Sequence, residues 1–189
     1  KEHLNILLMG NPNVGKSVVF SKLTGMDVMT ANYTGTTVSY TRGHFKHSDK
    51  KVNLIDVPGT YALEATSQAE EVAIRMLNEG ADAIICVLDA THLERNLYLA
   101  LQIKSFGIPI VYALNLKDVA TRQGISIDVE ALEKHLDAPV VETVAIKGVG
   151  VKELGNLAVE VALKIEGQKP VEMPTAKERW EKALAIAKA

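Results

Sequence analysis

Short apolar runs alternate along this chain with stretches in which apolar side chains recur every three or four positions, from the first residues to about residue 166. Residues 4–9 form an apolar run ending at Gly10, and residues 16–23 carry helical spacing after a glycine-bearing loop, which predicts strand, loop, helix. Residues 38–46 and 51–55 read as a hairpin, and Asp56-Val57-Pro58-Gly59 breaks its second arm. Beyond it the periods predict helix 67–78, strand 83–88, helix 93–106, strand 109–114, helix 128–136, strand 139–144 and helix 151–166. Strands alternating with helices of this size imply a mostly parallel sheet with helices on both faces. The expectation is an α/β fold with six strands, one of them an antiparallel hairpin strand. The runs at 83–88 and 109–114 are apolar throughout, as strands covered on two sides are.

Two segments stand outside this pattern. Residues 25–43 are rich in Thr, Asn, Gly and Tyr without a sustained period and read as one long loop, and long loops inside domains are usually functional. Residues 167–174 hold two prolines and read as a linker into a helix at 175–189, with Ala176, Trp180, Ala183, Leu184 and Ala187 on one stripe. The expected organisation is a domain over 1–166, followed over 167–189 by a linker and the start of a truncated helical region whose stripe has no partner.

Composition changes this picture little: 47% hydrophobic and 23% charged residues are ordinary for a globular domain. With 21 Lys+Arg against 23 Asp+Glu the net charge is −2, so no global positive field favours nucleic acid or an anionic membrane, and no nucleic-acid partner is expected. Nothing in the charge balance excludes a homo-oligomer. No apolar run approaches the ~20 residues of a membrane-spanning helix. Cys86, the single cysteine, lies in an apolar run and reads as a core residue. His44, His47 and Asp49 surround the predicted hairpin tip and read as a solvated turn.

The chemistry concentrates in three places. Gly10-Asn11-Pro12-Asn13-Val14-Gly15-Lys16-Ser17 matches G-x-x-x-x-G-K-[ST] between a predicted strand and a predicted helix, the context that pattern requires. Gly10 and Gly15 let consecutive N–H groups turn inward as an anion nest, and the helix start adds its positive end. Lys16 is expected on the β- and γ-phosphates, and the Ser17 hydroxyl on Mg²⁺, a cation that prefers oxygen ligands. In the second place, Asp56 ends an apolar strand before Val57-Pro58-Gly59, which puts a carboxylate near the Mg²⁺ water shell and the Gly59 N–H near a γ-phosphate. In the third, Asn115-Leu116-Lys117-Asp118 follows a strand in the same manner. A carboxylate there accepts from both N1–H and the N2 amine of guanine, which adenine cannot match, so the expected nucleotide is GTP or GDP. Val144-Ala145-Ile146 could offer a backbone N–H to guanine O6.

With these elements in order, GNPNVGKS, DVPGTYAL, VLDATHLERNLYLALQ, ALNLKD and GISIDVEALEKHL resemble the cytosolic N-terminal G domain of the ferrous iron transport protein B family. Phosphate loops of the NPNVGKS kind also occur in ribosome-assembly and tRNA-modifying GTPases, and a ribosome- or RNA-associated assembly GTPase is the alternative, disfavoured by the near-neutral charge. The resemblance implies a P-loop GTPase fold of Ras-like type. It implies that Thr37, within Gly35-Thr36-Thr37, is the switch I threonine that joins Mg²⁺, and that Asn13 holds K⁺ near the β- and γ-phosphates, helped by carbonyls near Ala31 and Tyr33. The family commonly has Trp-Pro where this chain has Tyr33-Thr34, Met where it has Leu116, and Ser or Thr where it has Val144. The same resemblance places the domain at the cytoplasmic face of the membrane, ahead of helical and permease regions of one polypeptide. Thr60 stands where Ras-like proteins have a water-orienting glutamine, and no neighbouring arginine is an evident finger, so slow hydrolysis is expected, with K⁺ supplying the missing charge. Asn13, Lys16, Thr37 and Gly59 are the expected catalytic set, with switches over 26–41 and 56–68.

Overall fold

The computed structural model describes residues 3–164 and 176–188, and in the second segment the side chains of 181–187. The predicted alternation forms β1 (His3–Gly10), α1 (Lys16–Thr24), β2 (Met29–Asn32), β3 (Ser39–His47), β4 (Lys50–Asp56), α2 (Gln68–Glu79), β5 (Ala83–Asp89), α3 (Leu93–Lys104), β6 (Ile110–Asn115), α4 (Lys117–Arg122), α5 (Val129–Leu136), β7 (Val140–Glu142), α6 (Val151–Leu163) and α7 (Ala176–Lys188). The sheet runs β2-β3-β4-β1-β5-β6-β7. The pairs β4–β1, β1–β5, β5–β6 and β6–β7 are parallel, whereas β3 is antiparallel to both of its neighbours.

The sheet has seven strands, not the expected six, because the segment read as a loop contributes β2. Met29–Asn32 pairs with Ser39–Arg42 while every residue of β2 stays exposed. A strand with no buried face carries no hydrophobic alternation, which is why sequence patterning passes over it. Two short helical elements are also unpredicted: α4, six residues long, begins inside the Asn115–Asp118 motif, and a 3-10 turn covers Ala145–Lys147.

Two apolar layers enclose the sheet. Leu4, Ile6, Leu8, Val52 and Leu54 face α1 and α6, while Leu7, Met9, Ile84, Cys86 and Tyr112 face α2 and α3. All seven residues of β5 and all six of β6 are buried, the two-sided covering their composition predicts. The caps follow sequence chemistry: Ser67 accepts from Glu70 N–H at the start of α2, and Asp128 from Ala131 N–H at the start of α5. Among the described residues no helix is long and apolar enough to cross a membrane.

The terminal stripe expected to lack a partner has one. Ala183 and Ile186 of α7 are 0% and 6% exposed and join the layer formed by α3, and Lys182 of the same helix helps to lower the Lys104 ammonium, after burial. A helix whose apolar face is narrow still docks where a neighbour offers an apolar groove. Trp180 and Ala176 lie outside the described side chains.

Burial pushes the Cys86 thiol up to about 12, so at neutral pH it is protonated and shielded. A thiol-specific reagent at pH 8 should leave it unmodified in native buffer and modify it after unfolding in guanidinium, as intact mass would report. Ala183→Asp puts a charge into the fully buried contact between α3 and α7; hydrogen exchange should show α7 amides losing protection while β5 and β6 keep theirs.

Candidate nucleotide-binding site

Three loops meet at the carboxyl ends of β1, β4 and β6, where ligands bind in open α/β sheets. The first, between β1 and α1, turns through Asn13 at φ 62° and Gly15 at φ 87°, both left-handed. Gly10 and Gly15 are there for close approach. A Cβ on Gly10 would lie 2.8 Å from the Val87 carbonyl oxygen, and one on Gly15 would lie 2.2 Å from Asn115 Nδ2. Asn11, Pro12, Asn13, Gly15, Lys16, Ser17 and Gly59 line a cleft of about 530 Å³. Val14 turns into the core at 2% exposure.

The second loop brings Asp56 and Gly59 to the same cleft. Lys16 Nζ pairs with the Asp56 carboxylate and donates to the Val57 carbonyl at 2.5 Å. Both side chains are largely screened, Lys16 at 11% and Asp56 at 18% exposure, so opposite charges there associate closely. The lysine expected on phosphates therefore sits on Asp56 here, and a phosphate would compete for its ammonium. Val57 is fully buried and its N–H donates to Leu8 O at 3.0 Å, which fixes the strand end, while Pro58 continues to Gly59. A Cβ on Gly59 would come 3.3 Å from Pro12 N, so the turn lies directly against the first loop.

The third loop is organised by Asn115, the last residue of β6 and 2% exposed. Its Nδ2 donates to Val14 O at 3.0 Å, and its Oδ1 accepts from Thr143 Oγ1 and from Ala145 N–H, each at 3.0 Å. One amide thus joins the phosphate loop, the end of β6 and the loop after β7. The Ala145 N–H expected on a base oxygen is therefore already engaged, and an O6 there would share it as a three-centre bond. Leu116 at φ 61° turns the chain so that Lys117 and Asp118 open α4. Lys117 pairs with Glu142 at 3.0 Å, and Asp118 with Arg122 at 3.5 Å and Lys147 at 4.0 Å. Val144 bridges back to Val149, and Ile146 is 73% exposed beside this loop.

The switch I residues are not at the cleft. Gly35 and Thr36 lie at the tip joining β2 to β3, where Thr36 N–H donates to Tyr33 O at 3.0 Å and Val38 O accepts from Tyr33 N–H at 2.8 Å. Thr37, expected at Mg²⁺, donates its hydroxyl to Gln68 Oε1 at 3.0 Å instead. Tyr33 donates to Glu79 and contacts Tyr40 edge-on with centroids 6.4 Å apart, and the Glu79 contact is the main reason its phenol is raised above the usual value. The hairpin is thus strapped along α2, and Ala31 and Tyr33 go with it. Gln68 and Glu79 carry no nucleotide motif, and nothing in the sequence singles them out.

After Gly59, switch II is gripped by α3. Arg95 lies 5.4 Å over the Tyr61 ring, Tyr98 donates to Glu64 at 2.5 Å, and buried Gln102 Oε1 accepts from Leu63 N–H at 2.7 Å. His47, expected at a solvated turn, instead meets Asn156 of α6 at 3.0 Å.

The family profile described as Ferrous iron transport protein B matches residues 4–158. The chain belongs to the ferrous iron transport protein B family. It is 44% identical over 162 residues to the Fe(2+) transporter FeoB of Salmonella typhimurium, covering 83% of this chain and 21% of that protein. The chain therefore spans about a fifth of the length of the curated FeoB relatives it matches. Solved structures of the cytosolic domain of the T. maritima FeoB iron transporter superpose with TM-score 0.85 for a GDP form and 0.82 for the GMPPNP form, each at 38% identity. They cover 91% and 90% of this chain and 68% and 67% of those chains. The fold is that of a P-loop GTPase, and this is a FeoB G domain.

An amide that joins three loops cannot be trimmed without leaving their buried groups unpaired, at about 1–3 kcal/mol each. Asn115→Ala should therefore lower the urea midpoint by the equivalent of about 2–4 kcal/mol with little change in slope, and should also weaken GDP binding in a fluorescence titration.

Proposed function

We propose that this domain binds GTP, hydrolyses it slowly and passes the resulting change of conformation to a membrane transporter of ferrous iron. The observation that carries the reading is the cleft lined by the phosphate loop and Gly59, with Lys16 paired to Asp56 and the Asn115 amide tying the start of the Asn115–Asp118 segment to Val14 of that loop. Nucleotide complexes of relatives with the same fold support it.

The roles follow from placement. Backbone N–H groups of Asn13 to Lys16, which follow the donorless Pro12, face bound phosphate, with the start of α1 behind them. Lys16 leaves Asp56 for the β- and γ-phosphates, which offer more negative charge than one carboxylate. The donors near the cleft are oxygens, the Ser17 hydroxyl and the Asp56 carboxylate, and they suit Mg²⁺; Ser17 would hold it directly and Asp56 through water, and the ion would neutralise phosphate charge. Thr37 joins this group only after leaving Gln68, so switch I must detach from α2 when a third phosphate is present. Asn13, exposed in its left-handed turn at the cleft, is suited to a monovalent cation, and K⁺ there would supply the charge that an arginine finger supplies elsewhere. Thr60 is 6% exposed and too short to orient water as a glutamine does, which favours slow turnover. The Gly59 N–H approaches the γ-phosphate, and the change in both switches is the output.

The partners in this reading are GTP and GDP, together with helical and permease regions of a longer polypeptide at the cytoplasmic face of a membrane. Turnover with Mg²⁺ should be faster in KCl than in NaCl, and Asn13→Ala should abolish the difference; equal rates in the two salts would refute the K⁺ role. Asp118→Asn should weaken GTP on the order of 100-fold, because a carboxylate accepting two bonds is lost. The same variant should bind the xanthine nucleotide better than the parent does, as competition titrations would report.

A further inference from the structure

Asn11 is 1% exposed, and both polar atoms of its carboxamide, Oδ1 and Nδ2, are buried without a hydrogen-bond partner. Other buried asparagines are satisfied: Asn115 makes three bonds, and Asn96 accepts from Asp89 N–H and donates to His92 O. The other unpartnered side-chain atoms among the described residues, Gln102 Nε2 and Tyr112 Oη, belong to residues that do not line the phosphate cleft, whereas Asn11 does. A small apolar side chain would fill this place at lower cost, since a buried amide without partners gives up its hydration for no return.

The Gly59–Thr60 turn lies against the backbone next to Asn11. A Cβ on Gly59 would lie 3.3 Å from Pro12 N, the atom bonded to the Asn11 carbonyl carbon, and Thr60 beside it is 6% exposed. We propose that Asn11 is a positioning residue for switch II, its carboxamide hydrogen-bonding the Gly59–Thr60 turn once a third phosphate has drawn that turn inward. This rests on the GTPase reading above. A bond made in one state and missing in the other shifts the balance between them by its own free energy, so an amide left unsatisfied in one arrangement favours the other. The residue acts through Gly59 and Thr60 and does not itself touch the nucleotide with its side chain.

The test compares Asn11→Val with Asn11→Thr, which share a shape and differ in one hydroxyl. Single-turnover GTP hydrolysis, affinity for GMPPNP and for GDP, and melting temperature are measured for both and for the parent. In Asn11→Val, hydrolysis and GMPPNP affinity should fall about tenfold, the size of one net hydrogen bond. GDP affinity should fall by less, and the GDP-loaded melting temperature should be no lower than the parent's. Asn11→Thr should recover part of the rate. Hydrolysis by Asn11→Val within about twofold of the parent, equal losses of GDP and GMPPNP affinity, or identical rates for Val and Thr would each overturn the proposal. If the β-branched pair fails to fold, Asn11→Ser against Asn11→Ala makes the same comparison with smaller side chains. Failure of the GTPase reading shows in the parent chain, as absence of GTP turnover before any substitution, and removes this proposal with it.

Discussion

The Asn115 carboxamide is the bond on which the site depends. Val14 O belongs to the loop after β1, Thr143 Oγ1 and Ala145 N–H to the segment after β7, and each meets the same buried side chain at 3.0 Å. Because the amide is 2% exposed, water cannot substitute for any of these partners, so the phosphate loop and the loop after β6 keep a fixed separation. Gly15 is part of the same constraint. Its missing Cβ leaves the space that Asn115 Nδ2 occupies, and its φ of 87° starts α1 at the right angle to the cleft.

Around this rigid centre the two switches are held differently. Switch I is a hairpin whose backbone pairs with β3 and whose polar side chains, Thr37 and Tyr33, fasten to Gln68 and Glu79 on α2. Those fastenings are exposed, so they are worth little individually. Switch II is held by α3 through Arg95, Tyr98 and Gln102, with one bond, Gln102 to Leu63, fully buried. Since α7 packs on α3, a displacement of switch II meets the helix that also carries the C-terminal segment. Lys16 links the phosphate loop to the end of β4 by pairing with Asp56.

The legible part of the site was the part encoded locally. Gly10-Asn11-Pro12-Asn13-Val14-Gly15-Lys16-Ser17 declares a phosphate loop because glycines, lysine and hydroxyl must stand at fixed offsets, and the structure places them between β1 and α1. The strands β5 and β6 were readable because two-sided burial demands unbroken apolar runs. The strand β2 was not, since an exposed edge strand imposes no alternation, and the docking of Ala183 and Ile186 on α3 could not be inferred from a stripe that names no partner.

The amino-acid sequence by itself determined the order of the strands and helices other than β2 and α4, the nucleotide motifs and the family, because propensity, periodicity and fixed-offset motifs act over short stretches of chain. Tertiary structure alone decided that Lys16 rests on Asp56, that Thr37 is tied to Gln68, that Ala145 N–H is taken by Asn115 and that the Asn11 amide is buried unpaired. Each of these facts is a hydrogen bond, or the want of one, between groups that chain folding alone brings together. Their energies depend on burial and angle, and neither quantity exists until the sheet has closed around them.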